Sequence, residues 1–306
     1  MQSRRPSITD TNFLFLIIAL LLLSIGAWVQ SRHLFIGLLI TQYLIILFPI
    51  VLYLKRRGYN LKGFLRIKSL TLKQVVYIVL IVIFSYPIAV FFNYVGILFL
   101  SKYGRILPNP IPVPSDINEF LLSFMIVALT PGICEEVMFR GMIMKAYEVY
   151  GRKKAIILSA ILFGLFHFNL QNLLGPIFLG ILFGILVYKT ESLLSSIIGH
   201  TVNNTIALTI GFLSSDIQQA SIENTHDAGT MVYGSIILGV IAFAFFLLVR
   251  KLLLSFPAKV DETSLNNDGY IQFVPVVKTR INIIEATPIV LVILIFFIYS
   301  YILFFA

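Results

Sequence analysis

The sequence is poor in charged residues, in cysteine and in tryptophan. Only 12% of its 306 residues are Asp, Glu, Lys or Arg, which is about half the share found in soluble globular proteins. Its one cysteine, Cys134, excludes an internal disulfide bond and a cysteine-rich zinc site. The chain is 58% hydrophobic, with a mean hydropathy of +0.95. This composition excludes a secreted domain, a cytosolic enzyme and a disordered chain.

Long uncharged runs are the main feature of the sequence. Residues 75–100 contain no charged side chain, and this run exceeds the roughly 20 residues that cross a ~30 Å hydrocarbon layer. The pattern predicts an all-α, polytopic transmembrane helical bundle with eight or nine spans, forming one integral membrane domain over residues 1–306. The candidate spans are Phe13–Val29, Leu34–Leu54, Val75–Leu100, Phe120–Ala146, Ala155–Phe168, Pro176–Tyr188, Leu193–Leu213, Met231–Val249 and Pro288–Ala306.

Two of these candidate spans need a further argument. The first follows Arg4 and Arg5 but precedes no convincing cleavage site, so we expect a retained helix rather than a signal peptide. The fifth and sixth lie within residues 155–188, which would extend about 51 Å as one helix. That length is too great for a single span, and we expect Gly175-Pro176 to break it into two short helices.

The distribution of basic residues predicts the orientation. With the N-terminus in the cytoplasm, 19 of the 23 Lys and Arg residues fall in cytoplasmic segments and 3 fall outside, as the positive-inside rule requires. The proline-rich Leu107–Pro114 and the polar Ser214–Gly229 then lie outside, and the polar stretch Ser255–Glu285 lies inside. The positive charge therefore faces anionic membrane lipid, and we expect no nucleic-acid partner. The expected location is a multi-pass membrane protein, of the cell membrane if the source is prokaryotic.

Three closely spaced ionisable residues, Glu135, Glu136 and Arg140, lie in the fourth span. Each costs roughly 2.5–3.5 kcal/mol on insertion scales, so such residues in a span indicate a functional site. His167 and His200 also fall at membrane depth, in later spans. A single buried histidine or a Glu–Arg pair is often only a packing feature, but this combination favours function.

Helical spacing predicts which of these side chains can pair. Glu136 and Arg140 are four residues apart, on one face of a helix. Glu135 is rotated by about 100° from Glu136 and is left without a partner nearby in sequence. His200 and Asn204 also share a face, and Asn203 is the alternative to Asn204.

The predicted depths place the polar groups in one layer of the membrane. At 1.5 Å per helical residue, Glu135 lies about 15 Å, His167 about 20 Å and His200 about 16 Å from the nearest basic boundary residue. The three side chains could therefore surround one water-filled cavity. We expect Phe163, Phe166 and Phe168 to form packing surfaces, and Thr130-Pro131-Gly132 to kink the helix beside Glu135.

These residue types suit amide hydrolysis without a covalent intermediate. A carboxylate and a neutral imidazole can bind a water molecule and accept its proton. A second histidine and an asparagine amide can donate hydrogen bonds to an oxyanion. The sequence has neither a G-x-S-x-G serine motif nor an HExxH zinc motif. Zinc bound by Glu135, His167 and His200 remains an open alternative.

Three motifs occur in order on separate hydrophobic helices. They are EExxxR at Glu135–Arg140, FxxxH at Phe163–His167 and HxxxN at His200–Asn204. In this order the sequence resembles the CPBP family, which comprises the CAAX proteases and bacteriocin-processing enzymes and is also called the Abi family. The resembling core covers residues 120–213, and residues 1–119 and 214–306 form flanking helices.

The resemblance, which is strongest to the Ras-converting CAAX endopeptidase branch, implies an intramembrane endopeptidase. By that resemblance Glu135 and His167 would activate water. His200 and Asn204 would form the oxyanion site, which Glu136 and Arg140 would stabilise or position. A metal-free mechanism is favoured, with zinc as the alternative cofactor. The expected substrate is a membrane-associated or lipidated peptide or protein.

Two other classes of function remain compatible with these residues. One is a non-catalytic membrane immunity or scaffolding protein, which would not need the carboxylates for hydrolysis. The other is a proton or ion carrier, because intramembrane carboxylates also form relays. Neither the prenylation of the substrate nor the oligomeric state follows from the sequence.

Overall fold

The computed structural model describes residues 5–108, 112–214, 228–257 and 278–306. Helices are the regular secondary structure of these residues, and no strand occurs among them. The predicted all-α polytopic bundle is therefore confirmed. Most of the predicted outer segment Ser214–Gly229 and most of the polar stretch Ser255–Glu285 lie outside the described residues.

Long helices in the described ranges coincide with all nine predicted spans. We label them α1 (Ile8–Arg32), α2 (Leu34–Arg56), α3 (Leu72–Tyr103), α4 (Ile117–Tyr150), α5 (Arg152–Phe166), α6 (Leu174–Thr190), α7 (Leu194–Leu213), α8 (Ala228–Leu254) and α9 (Ile283–Phe304). Seven of the nine are long and apolar enough to cross a membrane; α5 and α7 are not among them. The helix α5 has only 15 residues, and α7 carries a polar face. The histidines of the candidate site are His167, which directly follows α5, and His200 in α7.

The chain breaks between α5 and α6, although not at the predicted point. The break covers residues 167–173, where Phe168 has a left-handed φ of 45° and the Asn169 side chain accepts a hydrogen bond from the backbone N–H of Asn172. Pro176 lies in the first turn of α6, where its missing N–H removes no helical hydrogen bond. The two predicted short helices are present, but the turn that separates them comes before Gly175-Pro176.

The helices pack around α3 on one side of the bundle and around α1 and α9 on the other. The long helix α3 contacts α6, α7 and α8, while α1 contacts α9 and α5 contacts α6. The helix α4 lies between α2 and α7. Its residues 137–147 are buried on all faces of the helix, whereas a helix at the edge of a membrane bundle exposes one face to lipid. This central position buries Glu136 and Arg140 inside the protein.

Polar contacts join neighbouring loops at each end of the bundle. At one end Arg66 donates to Glu148 and lies 3.7 Å from Glu191. At the other end the backbone N–H of Arg105 donates to the carbonyl of Phe304. The segments that carry Arg66, Glu148 and Glu191, all predicted to be cytoplasmic, therefore lie at one end of the bundle. Burial of the Arg66 guanidinium works against its charge, but the two carboxylates outweigh this effect and hold its pKa above the ordinary value.

Candidate active site

The helix α4 is wound irregularly around the residues that carry the chemistry. It continues through Pro131, but π-helical turns occupy residues 124–129 and 137–143. The Thr130 hydroxyl donates to the carbonyl of Met125 at 2.8 Å, satisfying an acceptor in the wide turn before the proline. Such wide turns are frequent at functional sites. Glu135 and Glu136 thus lie between two irregular turns.

A close crossing between α4 and α7 brings the first and third motifs together. Gly132 faces Thr201 at this crossing, and a Cβ atom on Gly132 would lie 3.2 Å from the Thr201 backbone nitrogen and 3.3 Å from the Ile197 carbonyl oxygen. Only glycine therefore fits without displacement of the neighbouring helix. Glu136 is one turn further along α4, where the same crossing places it against His200.

Glu136, Arg140 and His200 form one buried cluster. The Glu136 Oε1 atom accepts a hydrogen bond from Arg140 Nη1 at 2.7 Å and lies 2.9 Å from His200 Nδ1. The side chains of Glu136 and Arg140 are both 0% exposed. The pair predicted from the spacing of four residues is therefore present. The structure adds His200, which reaches the same oxygen atom from α7.

Aromatic rings enclose the Arg140 guanidinium. Its Cζ atom lies 4.5 Å from the ring centre of Phe163, 5.4 Å from that of Phe183 and 5.9 Å from that of Phe139. The Nε and Nη2 atoms are buried and have no hydrogen-bond partner. Attraction between the cation and the ring faces compensates part of that loss. Phe163, predicted to be a packing residue, therefore also stabilises charge.

The ring of His200 is held in one orientation. It stacks on Phe183 at 5.6 Å and meets the edge of Phe163 at 5.7 Å. Because the Glu136 carboxylate accepts, His200 Nδ1 carries a hydrogen. Its Nε2 atom can then donate to an oxyanion only when the ring also carries a hydrogen on that atom.

His167 follows the last residue of α5 and is partly buried. Its Nδ1 atom lies 2.8 Å from the Phe163 carbonyl oxygen. Since a carbonyl oxygen only accepts, Nδ1 carries the hydrogen, and Nε2 of the neutral ring is left as an acceptor for a water hydrogen. The rings of His167 and His200 both meet the Phe163 ring, with 5.0 Å and 5.7 Å between ring centres. The two histidines that the sequence placed at similar depth therefore contact the same aromatic ring.

Glu135 has a partner that the sequence interpretation missed. Its Oε1 atom accepts a hydrogen bond from Gln42 Nε2 on α2 at 2.7 Å. Glu135 was expected to lack a partner nearby in sequence, and Gln42 is indeed 93 positions away. The available signal was that Gln42 is the only residue with an amide side chain in the otherwise apolar span Leu34–Leu54.

Asn204 is oriented by two hydrogen bonds. Its Nδ2 atom donates to the carbonyl of Val127 at 3.1 Å, and its Oδ1 atom accepts from Asn203 Nδ2 at 3.1 Å. One Nδ2 hydrogen is used by Val127, so the second can be donated to another acceptor. Asn203, the alternative for this role, instead supports Asn204 through its amide group.

The described residues contain no group of three or more His, Cys, Asp or Glu side chains arranged to hold a metal ion. His200 directs Nδ1 at Glu136, and Glu135 directs Oε1 at Gln42. Each of these groups therefore already has a protein partner for one of its polar atoms.

Comparison with known proteins supports the motif assignment. The family model described as type II CAAX prenyl endopeptidase Rce1-like matches residues 117–206. That segment extends from the start of α4 into α7 and contains all three motifs. The resemblance to the CAAX protease family is therefore confirmed over this segment. No curated protein and no solved structure matches the chain.

Proposed function

We propose that this chain, whose residues 117–206 match the Rce1-like model, hydrolyses a peptide bond of a membrane-associated or lipidated peptide. The family match supports a CAAX-type intramembrane endopeptidase in general, and the protein is an integral, multi-pass membrane protein. The observation that carries the proposal is that the matched segment contains the intramembrane Glu, Arg, His and Asn residues. The roles below are the finer part of the proposal.

Glu135 and His167 activate the water molecule in this proposal. The water binds between the Glu135 carboxylate and His167 Nε2, and its oxygen attacks the carbon of the scissile carbonyl group. The water proton passes to this pair, which later protonates the leaving amine nitrogen. The support is the hydrogen on His167 Nδ1, which leaves Nε2 as an acceptor.

His200 and Asn204 stabilise the tetrahedral oxyanion. His200 Nε2–H and the second Nδ2 hydrogen of Asn204 are the donors in this proposal. Glu136 accepts a hydrogen bond from Nδ1 of His200 and so orients its ring, and Arg140 donates to the same carboxylate oxygen and holds it in place. When the intermediate collapses, the C–N bond breaks and the oxyanion becomes the carboxyl group of the new C-terminus.

The substrate is expected to reach this site from the membrane. Large apolar side chains such as Leu121, Leu122 and Met125 on α4 are about half exposed, and a peptide that carries a lipid would remain in contact with such surfaces. We therefore place lipidated or membrane-embedded peptides in the substrate class. Whether the lipid is a prenyl group is a question for the assay.

The test uses purified protein in lipid nanodiscs with fluorogenic peptides, with and without a prenylated C-terminal cysteine. Glu135→Gln and His167→Ala should each lower kcat by about 10²–10⁴-fold, the usual contribution of a general base. Glu119→Gln is the matched control, because Glu119 is exposed on the same helix. Unchanged cleavage by Glu135→Gln would refute the assigned role. Proton flux without cleavage would favour a carrier instead.

Metal dependence is tested in the same assay with a chelator. The proposal is a metal-free mechanism, so activity should survive prolonged incubation with EDTA. Loss of cleavage that zinc alone restores would replace this mechanism by one in which zinc polarises the carbonyl or the water. Elemental analysis of the purified protein gives an independent measurement.

A further inference from the structure

Gln42 occupies an unusual position for an amide side chain. It lies in the middle of α2, in a π-helical turn over residues 40–47, and is only 6% exposed. An amide buried in a membrane helix is costly unless it has a partner. Its position in the bundle therefore calls for a reason other than helix packing.

The contact made by Gln42 is directed at one atom. Its Nε2 donates to Glu135 Oε1 at 2.7 Å, whereas its own Oε1 is buried and has no hydrogen-bond partner. A carboxylate oxygen accepts, so the amide must present nitrogen to Glu135 and leave its carbonyl oxygen unpaired. The Gln42 amide thus leaves its own carbonyl oxygen unpaired while its N–H group binds Glu135. Such an arrangement is suited to fixing the orientation of the Glu135 carboxylate.

The surrounding contacts hold α2 in place on both sides of this amide. The preceding residue, Thr41, accepts a hydrogen bond from Gln30 of α1 at 2.9 Å. The following residue, Tyr43, places its hydroxyl 3.5 Å from Thr130 Oγ1 of α4. Of these two contacts, the one made by Tyr43 joins α2 to α4, the helix that carries Glu135, so it is the one that limits the direction from which Gln42 approaches Glu135.

We propose that Gln42 is a positioning residue for Glu135. It binds Oε1 so that the second carboxylate oxygen is directed at the attacking water. This inference rests on the proposed function of Glu135. It also assigns part of the site to α2, outside the segment 117–206 that matches the family model.

The central experiment compares Gln42→Met with Gln30→Met in nanodiscs. Both changes keep side-chain volume and remove one amide donor, but Gln30 donates to Thr41 and not to Glu135. Loss of a hydrogen bond to a charged group predicts that Gln42→Met lowers kcat about 10- to 100-fold with KM changed less than about 2-fold. Gln30→Met should change kcat less than about 3-fold.

Gln42→His provides the rescue, because its ring nitrogen can supply an N–H donor at similar reach. We expect it to keep kcat within about 5-fold of the unchanged protein. If Gln42→Met does not fold, the comparison of Gln42→His with Gln42→Leu takes its place. Equal kcat for all Gln42 variants, or a loss that appears only in KM or in the folded fraction, would overturn the inference.

The outcomes separate this inference from the proposed function. If Glu135→Gln is inactive but Gln42→Met retains full kcat, Gln42 has no positioning role and the function stands. If Glu135→Gln is fully active, the role assigned to Glu135 is wrong, and the positioning role of Gln42 is then wrong as well, independently of the result for Gln42→Met. Loss of kcat in both, with rescue by Gln42→His, supports both statements.

Discussion

The buried Glu136–Arg140 pair allows a quantitative prediction. Both side chains are 0% exposed, whereas the Arg57–Asp10 pair at the bundle surface is 58% and 30% exposed. Removal of one partner from a buried pair costs about 3–5 kcal/mol, because an uncompensated charge remains. Removal of one partner from an exposed pair costs about 0–1 kcal/mol. Arg140→Met should therefore destabilise the protein far more than Arg57→Met.

The residues around Glu136 and Arg140 narrow the expected loss in the free energy of unfolding. In Arg140→Met the Glu136 carboxylate still has His200 Nδ1 at 2.9 Å, so we expect a loss near the lower limit, about 3 kcal/mol. The double variant Glu136→Gln/Arg140→Met removes both charges and keeps the side-chain volumes. It should regain at least about 1 kcal/mol relative to Arg140→Met, because no unpaired carboxylate remains.

The free energy of unfolding is measured in mixed micelles by titration with a denaturing detergent, followed by circular dichroism. Arg140→Met, Arg57→Met and the double variant are compared with the unchanged protein under one set of conditions. Equal losses for the two arginine variants would refute the argument from burial. A double variant less stable than Arg140→Met would show that Glu136 and Arg140 are not energetically coupled as the structure indicates.

Two further predictions concern the α4–α7 crossing and the oxyanion site. Gly132→Ala should lower the free energy of unfolding by about 1–3 kcal/mol through overpacking. Gly63→Ala serves as the control, because its Cβ would have its nearest neighbour at 3.7 Å. Equal stability of the two variants would contradict the close crossing. Asn204→Ala should lower kcat by about 10²–10³-fold, because an oxyanion donor is lost. Asn203→Ala should lower kcat less, because Asn203 acts only through Asn204. If kinetics in nanodiscs show the reverse order, the roles of the two residues are exchanged.

Local rules made much of the molecule predictable from its sequence. Uncharged runs located the helices, because an α-helix of about 20 apolar residues crosses the hydrocarbon layer and pairs its own backbone N–H and C=O groups there. Helical spacing predicted the pair of Glu136 and Arg140, because residues four apart lie on one face. The three motifs, taken in order, also predicted the family that the match over residues 117–206 supports.

Tertiary structure decided the contacts between helices. Glu136 meets His200 across 64 positions of sequence, and Glu135 meets Gln42 across 93. The rings around Arg140 likewise come from three helices, α4, α5 and α6. Helix periodicity fixes which residues share a face, but it does not say which faces meet. That choice depends on where helices can approach closely, as at Gly132, and such fits exist only once the side chains of several helices pack together.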